Sequence, residues 1–284
     1  MCSSDLAIGL CGGRKANIAG EDAEGVESAV SFLNRTTQKH TPIVGDVVVV
    51  GGGNVAVDVA RTASRLTDGK VTMLCLEGEK EMPASDEEVE LARQDGIVIY
   101  NGWGPKEILV ENGKATGVVF KKCTRVYDEE GKFSPLYDEG QTITMSGATV
   151  IESIGQSSVW GDMLKGENVE LRKNGCIIAD AVTYQTSQPD IFAGGDIYHG
   201  AQFAIDAIAD GKKASESMHR YVQPGQSLTI GRDLREFIEL DKDIIVIEGY
   251  DNAKRQIPGI KKQDDVFADP NLPLTEEQVK VEAG

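Results

Sequence analysis

Residues 47–60 read VVVVGGGNVAVDVA, in which Gly51, Gly52, Gly53, Asn54, Val55 and Ala56 follow a run of valines. The spacing is Gly-x-Gly-x-x-Ala between an apolar strand-like run and a segment of helical periodicity. Gly51 permits a tight turn off the strand, Gly53 lets a bulky anion approach the main chain, and Ala56 allows close packing of helix on strand. A helix N-terminus presents unpaired N–H groups at the positive end of its dipole, so the chemistry favoured here is capture of a dinucleotide diphosphate. Local geometry must do this work. Acidic residues outnumber basic ones 46 to 29, a net charge of −17, and the overall field repels nucleotide anions.

The strand expected after this helix ends at Glu77, 21 residues beyond Ala56. A carboxylate there can accept hydrogen bonds from the ribose hydroxyls of an adenosine and would repel a 2′-phosphate. No arginine follows until Arg93. The pattern therefore favours NADH over NADPH, with Lys80 as the cation that could oppose this. A second signal is DIFAGGDIYHGAQFAIDAIADGKKASESM, residues 190–218. A strand delivers Gly194, Gly195 and Asp196, and a helix opens a few residues later. The Asp196 carboxylate can bind a ribityl hydroxyl, and N–H groups from Gln202 through Ala204 to Ile205 can face an isoalloxazine ring or a phosphate. Taken alone, a glycine pair that packs a strand against a helix explains the same residues.

These groups need positioning elements, and the sequence alternates them. Val26, Ala29, Val30 and Leu33 at helical spacing predict a helix over 23–37. Strands are expected at 47–50, 71–77 and 97–100. Helices are expected at 54–67, with Val55, Val59 and Leu66 near one face, and at 86–94, where Ser85 caps the first turn and Glu88 stands at capping-box spacing. Asn112-Gly113 marks a hairpin between 108–111 and 115–122. Residues 125–144 form a polar hairpin turning near Glu130-Gly131, residues 148–154 a buried strand, and Lys173 to Cys176 another short hairpin. A strand at 191–193 and a helix at 201–221 follow. Thr275-Glu276-Glu277-Gln278 opens a last short helix.

Several chemistries lack support. The acidic balance argues against nucleic acid and anionic membrane surfaces as partners, and no apolar run approaches the ~20 residues of a membrane span. The cysteines Cys2, Cys11, Cys75, Cys123 and Cys176 include no Cys-x-x-Cys pair, which leaves a disulfide framework and a zinc site unsupported and a cytoplasmic location as the default. His40, His199 and His219 do not pair at metal-ligand spacing; His199, just after Gly-Gly-Asp, is the one that could sit beside a flavin. Asp86, Glu87, Glu88 and Glu90 read as a solvated helix face. Tyr250-x-x-x-Lys254 matches a dehydrogenase pair but lies 197 residues beyond Gly53 and is set aside. Cys2-Ser3-Ser4-Asp5-Leu6 is what TGC-TCT-TCC-GAT-CT would encode, a string resembling a sequencing-adapter end, so the natural protein is expected to extend further upstream.

Taken in order, the pieces resemble the glutamate synthase small (β) subunit and its relatives, flavoproteins with two dinucleotide-binding domains. They are Ala7-Ile8-Gly9, RKANIAGED from Arg14 to Asp22, GGGNVAVDVAR, Met82-Pro83-Ala84-Ser85, Ile154-Gly155-Gln156, FAGGD and AIADGKKA. The resemblance covers about 6–221. It implies an α/β architecture in which a Rossmann-like NAD(P)-binding domain is inserted in an incomplete FAD-binding domain. The implied segments are 1–44 (end of the first FAD segment), 45–155 (NAD(P) domain), 156–221 (returning FAD segment) and 222–284 (acidic tail). Gly9 would lie at the turn between FAD and inserted domains, Gly155 near the nicotinamide, and Gly195, Asp196 and Gln202–Ile205 against FAD.

The departures are specific. The first glycine fingerprint of the family, which holds the FAD diphosphate, has no counterpart here, which leaves the implied FAD site incomplete in this chain. Leu76-Glu77 stands where many relatives carry arginines, and no cysteine follows Cys176 to ligate an iron–sulfur cluster. The resemblance implies an oxidoreductase that takes hydride from NAD(P)H to FAD and passes electrons to a redox partner protein, which could itself contain iron–sulfur clusters. Such transfer depends on proximity and orientation and needs no acid–base constellation. The rival readings are a nucleotide-binding module without turnover, an inactive fragment of a larger flavoprotein, and a lone dehydrogenase; the last lacks a convincing proton relay.

Overall fold

The computed structural model describes residues 4–235, 238, 240, 241, 244, 255–261, 267–269 and 271–283. The chain divides into two units, Met1–Arg232 and Asp233–Gly284. In chain order the elements are β1 (Ser4–Leu6), β2 (Gly12–Gly13), β3 (Val26–Ser28), α1 (Ala29–Gln38), β4 (Val47–Val50), α2 (Asn54–Leu66), β5 (Val71–Cys75), a 3₁₀ turn at Glu79–Glu81, α3 (Asp86–Gln94), β6 (Val98–Asn101), β7 (Trp103–Glu111), β8 (Lys114–Tyr127), β9 (Phe133–Ser146), β10 (Thr149–Glu152), β11 (Gln156–Ser157), β12 (Ile191–Ala193), α4 (Asp196–His199), α5 (Ala204–Tyr221) and α6 (Glu276–Glu282).

The centre of the first unit is a five-stranded parallel sheet in the order β3-β10-β4-β5-β6. A parallel strand covered on both faces reads as a continuous apolar run, and all four valines of β4 are buried. On one face Val48 and Val50 join Leu74 and Val150 against Ile108, Val118 and Phe120 of the antiparallel meander β7-β8-β9. The other face is covered by α2, which buries Ala56, Val57, Val59, Ala60, Ala63 and Leu66. Val55 points away from that stripe and is exposed, because it stands one residue before Ala56 on the first turn. Asn112 and Gly113 both adopt left-handed φ, 51° and 81°, which a two-residue hairpin twisted like its strands requires.

A second, smaller assembly joins the two ends of the first unit. β1 and β12 pair in parallel, Leu6 opposite Ala193. Ile177, Tyr184, Ala193, Tyr198 and Ala214 form a core beside them. Two short connections run between this assembly and the central sheet, and they pair as β2 with β11. The fold is thus a Rossmann-like α/β sheet with a meander, inserted between two segments that come together again. Arg232 closes the unit: its guanidinium donates to Ser217 Oγ and to the carbonyls of Val182 and Lys213.

The helix expected over 23–37 starts only at Ala29. Val26 belongs to β3 and pairs with Val150, a long-range contact that overrides the local apolar spacing. Gly25 makes the turn into it at φ 96°; a Cβ there would lie 2.3 Å from the Ala148 carbonyl oxygen. Ser28 then caps α1, its Oγ accepting from the Ser31 amide. Similarly, 196–199 forms the separate turn α4, so the final helix of this unit begins at Ala204 and not at 201. In the second unit, Thr275 and Gln278 form the reciprocal cap of α6 and Ile260 bridges Asn271. Tyr250, Lys254 and Cys2 lie outside the described residues.

Candidate functional site

The glycine turn sits at the carboxyl end of β4, where crossover connections in a parallel sheet leave a crevice. Gly51 has φ 140°, and a Cβ on it would lie 2.2 Å from the Ser153 carbonyl oxygen. On Gly52 a Cβ would lie 2.7 Å from Cys75 Cβ. On Gly53, by contrast, it would meet nothing within 4 Å. The first two glycines are demanded by the protein's own packing, and the third faces open space. Gly53 is the N-cap of α2 with no side-chain cap, while the amides of Ala56 and Val57 return to the Gly53 carbonyl. Among the described residues, the N–H groups of Gly52, Gly53, Asn54 and Val55 have no acceptor within the chain. Free amides before an open space fit the diphosphate of a dinucleotide.

The segment Met82–Ser85 braces this turn. The Ala84 amide donates to the Gly52 carbonyl at 3.1 Å, and the Ser85 amide to Asn54 Oδ1 at 3.0 Å. Ser85 also caps α3 with its Oγ, accepting from Glu88 N. Glu88 does not complete a box; its carboxylate turns to Arg61.

Glu77 follows β5 and its carboxylate lies over the same turn: a Cβ on Gly52 would be 3.2 Å from Glu77 Oε2. Burial raises its pKa above the ordinary carboxylate value, with Glu81 adding to the effect. Its backbone carbonyl is held by the Gly102 amide and by Asn101 Nδ2. Cys75 beneath it is buried, and burial with the Glu77 charge pushes its thiol up to about 12, so it is an inert packing group. Arg93, the next arginine in the chain, pairs with Glu79.

A second cluster lies where β1, β12 and α5 meet. Gly9, Gly194, Gly195, Asp196, Gln202 and Ala204 line one cavity of about 350 Å³, with Phe203, Ala207 and Gly211. The small side chains leave backbone exposed: Cβ atoms on Gly9 or Gly211 would project into open space. Such a floor fits part of a flavin dinucleotide. Two amides expected to be free are engaged: Gln202 N–H donates to Asp196 Oδ1 and Phe203 N–H to Asp206. Those of Ala204 and Ile205 remain open among the described residues, and the Ile205 side chain is exposed. His199 does not line the cavity; its Nε2 lies 3.4 Å from Asp210 Oδ2.

Gly155 belongs to neither cluster. It lies just past β10, at φ 113°, with Arg14 against it: the Arg14 amide donates to the Gly155 carbonyl and Arg14 Nε to the Gln156 carbonyl. Two groups escape sequence reasoning. Asp210 is buried on α5 and accepts from both Tyr184 and Gly195. Glu152, at the end of β10, is buried beside Glu21, and each has one carboxylate oxygen without a hydrogen-bond partner. Burial, reinforced by Glu21, pushes Glu152 up to about 8. Nothing local marks either residue, since their partners are 15 to 131 positions away.

The family profile described as pyridine nucleotide-disulphide oxidoreductase matches residues 6–211. The NADP(+)-dependent formate dehydrogenase subunit beta of Moorella thermoacetica is 34% identical over 243 residues, covering 82% of this chain and 34% of that protein. The glutamate synthase [NADPH] small chain of Escherichia coli K12 is 32% identical, covering 77% and 50%. The NAD-dependent dihydropyrimidine dehydrogenase subunit PreT of E. coli O157:H7 is 33% identical, covering 70% and 42%. The chain spans about a third to a half of the length of these relatives. Among solved structures, Mycobacterium tuberculosis FprA in complex with NADPH shares the fold at TM-score 0.60, with 16% identity over 77% of this chain and 63% of that one. Thioredoxin reductase from T. acidophilum does so at 0.56, with 21% identity over 76% and 64%.

Proposed function

This chain belongs to the pyridine nucleotide-disulphide oxidoreductase family, and from that premise we propose that it is a flavin-dependent oxidoreductase module. It takes hydride from NAD(P)H, with NADH favoured, to FAD and passes electrons to a partner protein. A nicotinamide supplies the hydride and a flavin accepts it; the residues of this chain bind and orient. Gly52 to Val55 offer the amides for the diphosphate, and Gly51 and Ala56 keep the helix tight on the strand. Glu77 receives the adenosine ribose hydroxyls. Gly155 lies on the side toward the nicotinamide. Gly9, Gly195, Asp196, Gln202, Ala204 and Ile205 form the flavin side, with Asp196 and the Ala204 and Ile205 amides as its polar contacts. No proton relay is required.

One observation carries the cofactor preference: the Glu77 carboxylate lies over the Gly52 turn with no arginine beside it in the chain. Relatives named for NADP and for NAD both occur, so the relatives leave this choice to the residue. The subunit names of those relatives support a partner that takes the electrons. No helix among the described residues is long and apolar enough to cross a membrane. The acidic charge and the free cysteines among the described residues support a cytoplasmic protein that binds neither membrane nor nucleic acid.

The rival is a nucleotide-binding module without turnover, favoured by a cavity near the lower end of the ~300–1,000 Å³ range of small-molecule sites. Anaerobic addition of NADH to the FAD-supplemented chain separates them. Bleaching of bound flavin is expected. NADH binding without bleaching would leave the module reading, and no flavin binding at all would remove the flavin side of the proposal.

A further inference from the structure

The cavity assigned above to flavin is floored by a turn, Gly194-Gly195-Asp196, whose shape no residue inside the turn can enforce. Gly195 has φ 69° and ψ −155°, and its N–H is directed at a buried carboxylate. Asp210 meets it there. Asp210 is 6% exposed, on the face of α5 opposite the solvent. Its Oδ2 accepts from the Gly195 amide at 2.9 Å and lies 3.4 Å from His199 Nε2. Its Oδ1 accepts from the Tyr184 hydroxyl at 2.8 Å. One carboxylate thus ties together the turn, α4 and the loop before β12. The contact is close enough that a Cβ on Gly194 would lie 3.1 Å from Asp210 Cβ. Burial and the neighbouring Asp210 carboxylate both hold the Tyr184 phenol above its ordinary pKa, so the hydroxyl stays a donor.

We propose that Asp210 is the positioning residue of the flavin site, holding Gly195 so that Asp196 is aimed into the cavity, an inference that rests on the flavin assignment of that cavity. Asp196 in turn fixes the approach to α5 by accepting from the Gln202 amide at 3.2 Å. The chain of contacts therefore runs from Asp210 through the turn to the residues that would touch the ligand, while Asp210 itself touches none. Removing the carboxylate leaves two buried donors, the Gly195 amide and the Tyr184 hydroxyl, without acceptors. An asparagine keeps an acceptor, Oδ1, for the Gly195 amide, and its Nδ2 stays in contact with Tyr184 by donating to the phenol oxygen.

The test compares the full chain with Asp210→Ala and Asp210→Asn. FAD affinity is read by flavin fluorescence titration, and the exchange rate of the Gly195 amide by hydrogen-exchange NMR. Asp210→Ala should weaken FAD about tenfold or more, the scale of one buried hydrogen bond to a charged group. It should also speed Gly195 exchange, while Asp210→Asn restores most of both. NADH affinity of each variant serves as the check that the chain is folded. FAD affinity and Gly195 exchange unchanged in a folded Asp210→Ala variant would overturn the positioning role alone. Wild-type chain that fails to bind FAD would overturn the flavin assignment, and with it the flavin role of Asp210.

Discussion

Replacing Glu77 by alanine should convert a chain that prefers NADH into one that no longer does. The carboxylate is half-buried beside the Gly52 turn, where a ribose would rest. A hydrogen bond to a charged group contributes about 1.5–3 kcal/mol, and 1.4 kcal/mol is tenfold in affinity, so the NADH Kd should rise roughly 10–100-fold. A 2′-phosphate about 5 Å from the same carboxylate meets a repulsion of roughly 3 kcal/mol per unit charge at an effective dielectric of 20. Solvent at the open side reduces this, leaving a gain of about tenfold for NADPH when the charge is removed. Together the preference should shift by about 10²–10³. Glu77→Gln, which keeps an acceptor but no charge, should fall between. The assay is nucleotide fluorescence titration of the native chain and both variants, with circular dichroism confirming the fold. The pH response provides a second check. Burial raises the Glu77 pKa, and ribose donors favour the ionised form, so NADH affinity should increase as pH rises through that raised value. A folded Glu77→Ala chain with an unaltered NADH-to-NADPH ratio would refute the reasoning.

The buried Glu152 gives a stability signature. Its folded pKa of about 8 lies above the ordinary 4.5, so the folded chain binds this proton more tightly than the unfolded one. That contribution is complete below pH 4.5 and is lost as pH rises through about 8. Melting temperature relative to Glu152→Gln should therefore fall between pH 5 and 8.5, and the variant should be the more stable at the alkaline end by roughly 1–3 kcal/mol; parallel melting curves across that range would count against the pair. Gly52→Ala places a methyl against Cys75 Cβ, at a cost of about 1–3 kcal/mol, and should abolish NADH binding by displacing the turn; calorimetric binding at native affinity would contradict this. Brief alkylation followed by mass spectrometry should label exposed Cys11 before buried Cys75, Cys123 and Cys176; equal labelling of Cys75 would show that its thiol is neither buried nor held high.

The legible parts of the sequence were those in which one residue type answers one local demand. Four successive valines read as a strand, Asn112-Gly113 as a hairpin, and Ser85 as a cap. The Gly-x-Gly-x-x-Ala spacing located the turn; the structure explains Gly51 and Gly52 by their close neighbours Ser153 and Cys75, and Gly53 faces open space. The misread parts depended on distant partners. Val26 looked helical beside Ala29 and Leu33, yet its backbone pairs with Val150. The Gln202 amide looked available from its place before a helix, yet the side chain of Asp196 takes it. His199, read as a surface residue that could sit beside a flavin, turns to Asp210. Asp210 itself, one of two acidic residues in AIADGKKASE, gave no sign of the two donors it meets.

The central claim is that the free amides opening α2 receive a dinucleotide diphosphate. It is tested most directly by titrating NADH into isotope-labelled chain and following the backbone amide resonances. The Gly52, Gly53, Asn54 and Val55 amides should shift first and furthest, together with Glu77, while those of the β7-β8-β9 meander stay in place. Saturating NADH that leaves these four amides unmoved would contradict the account.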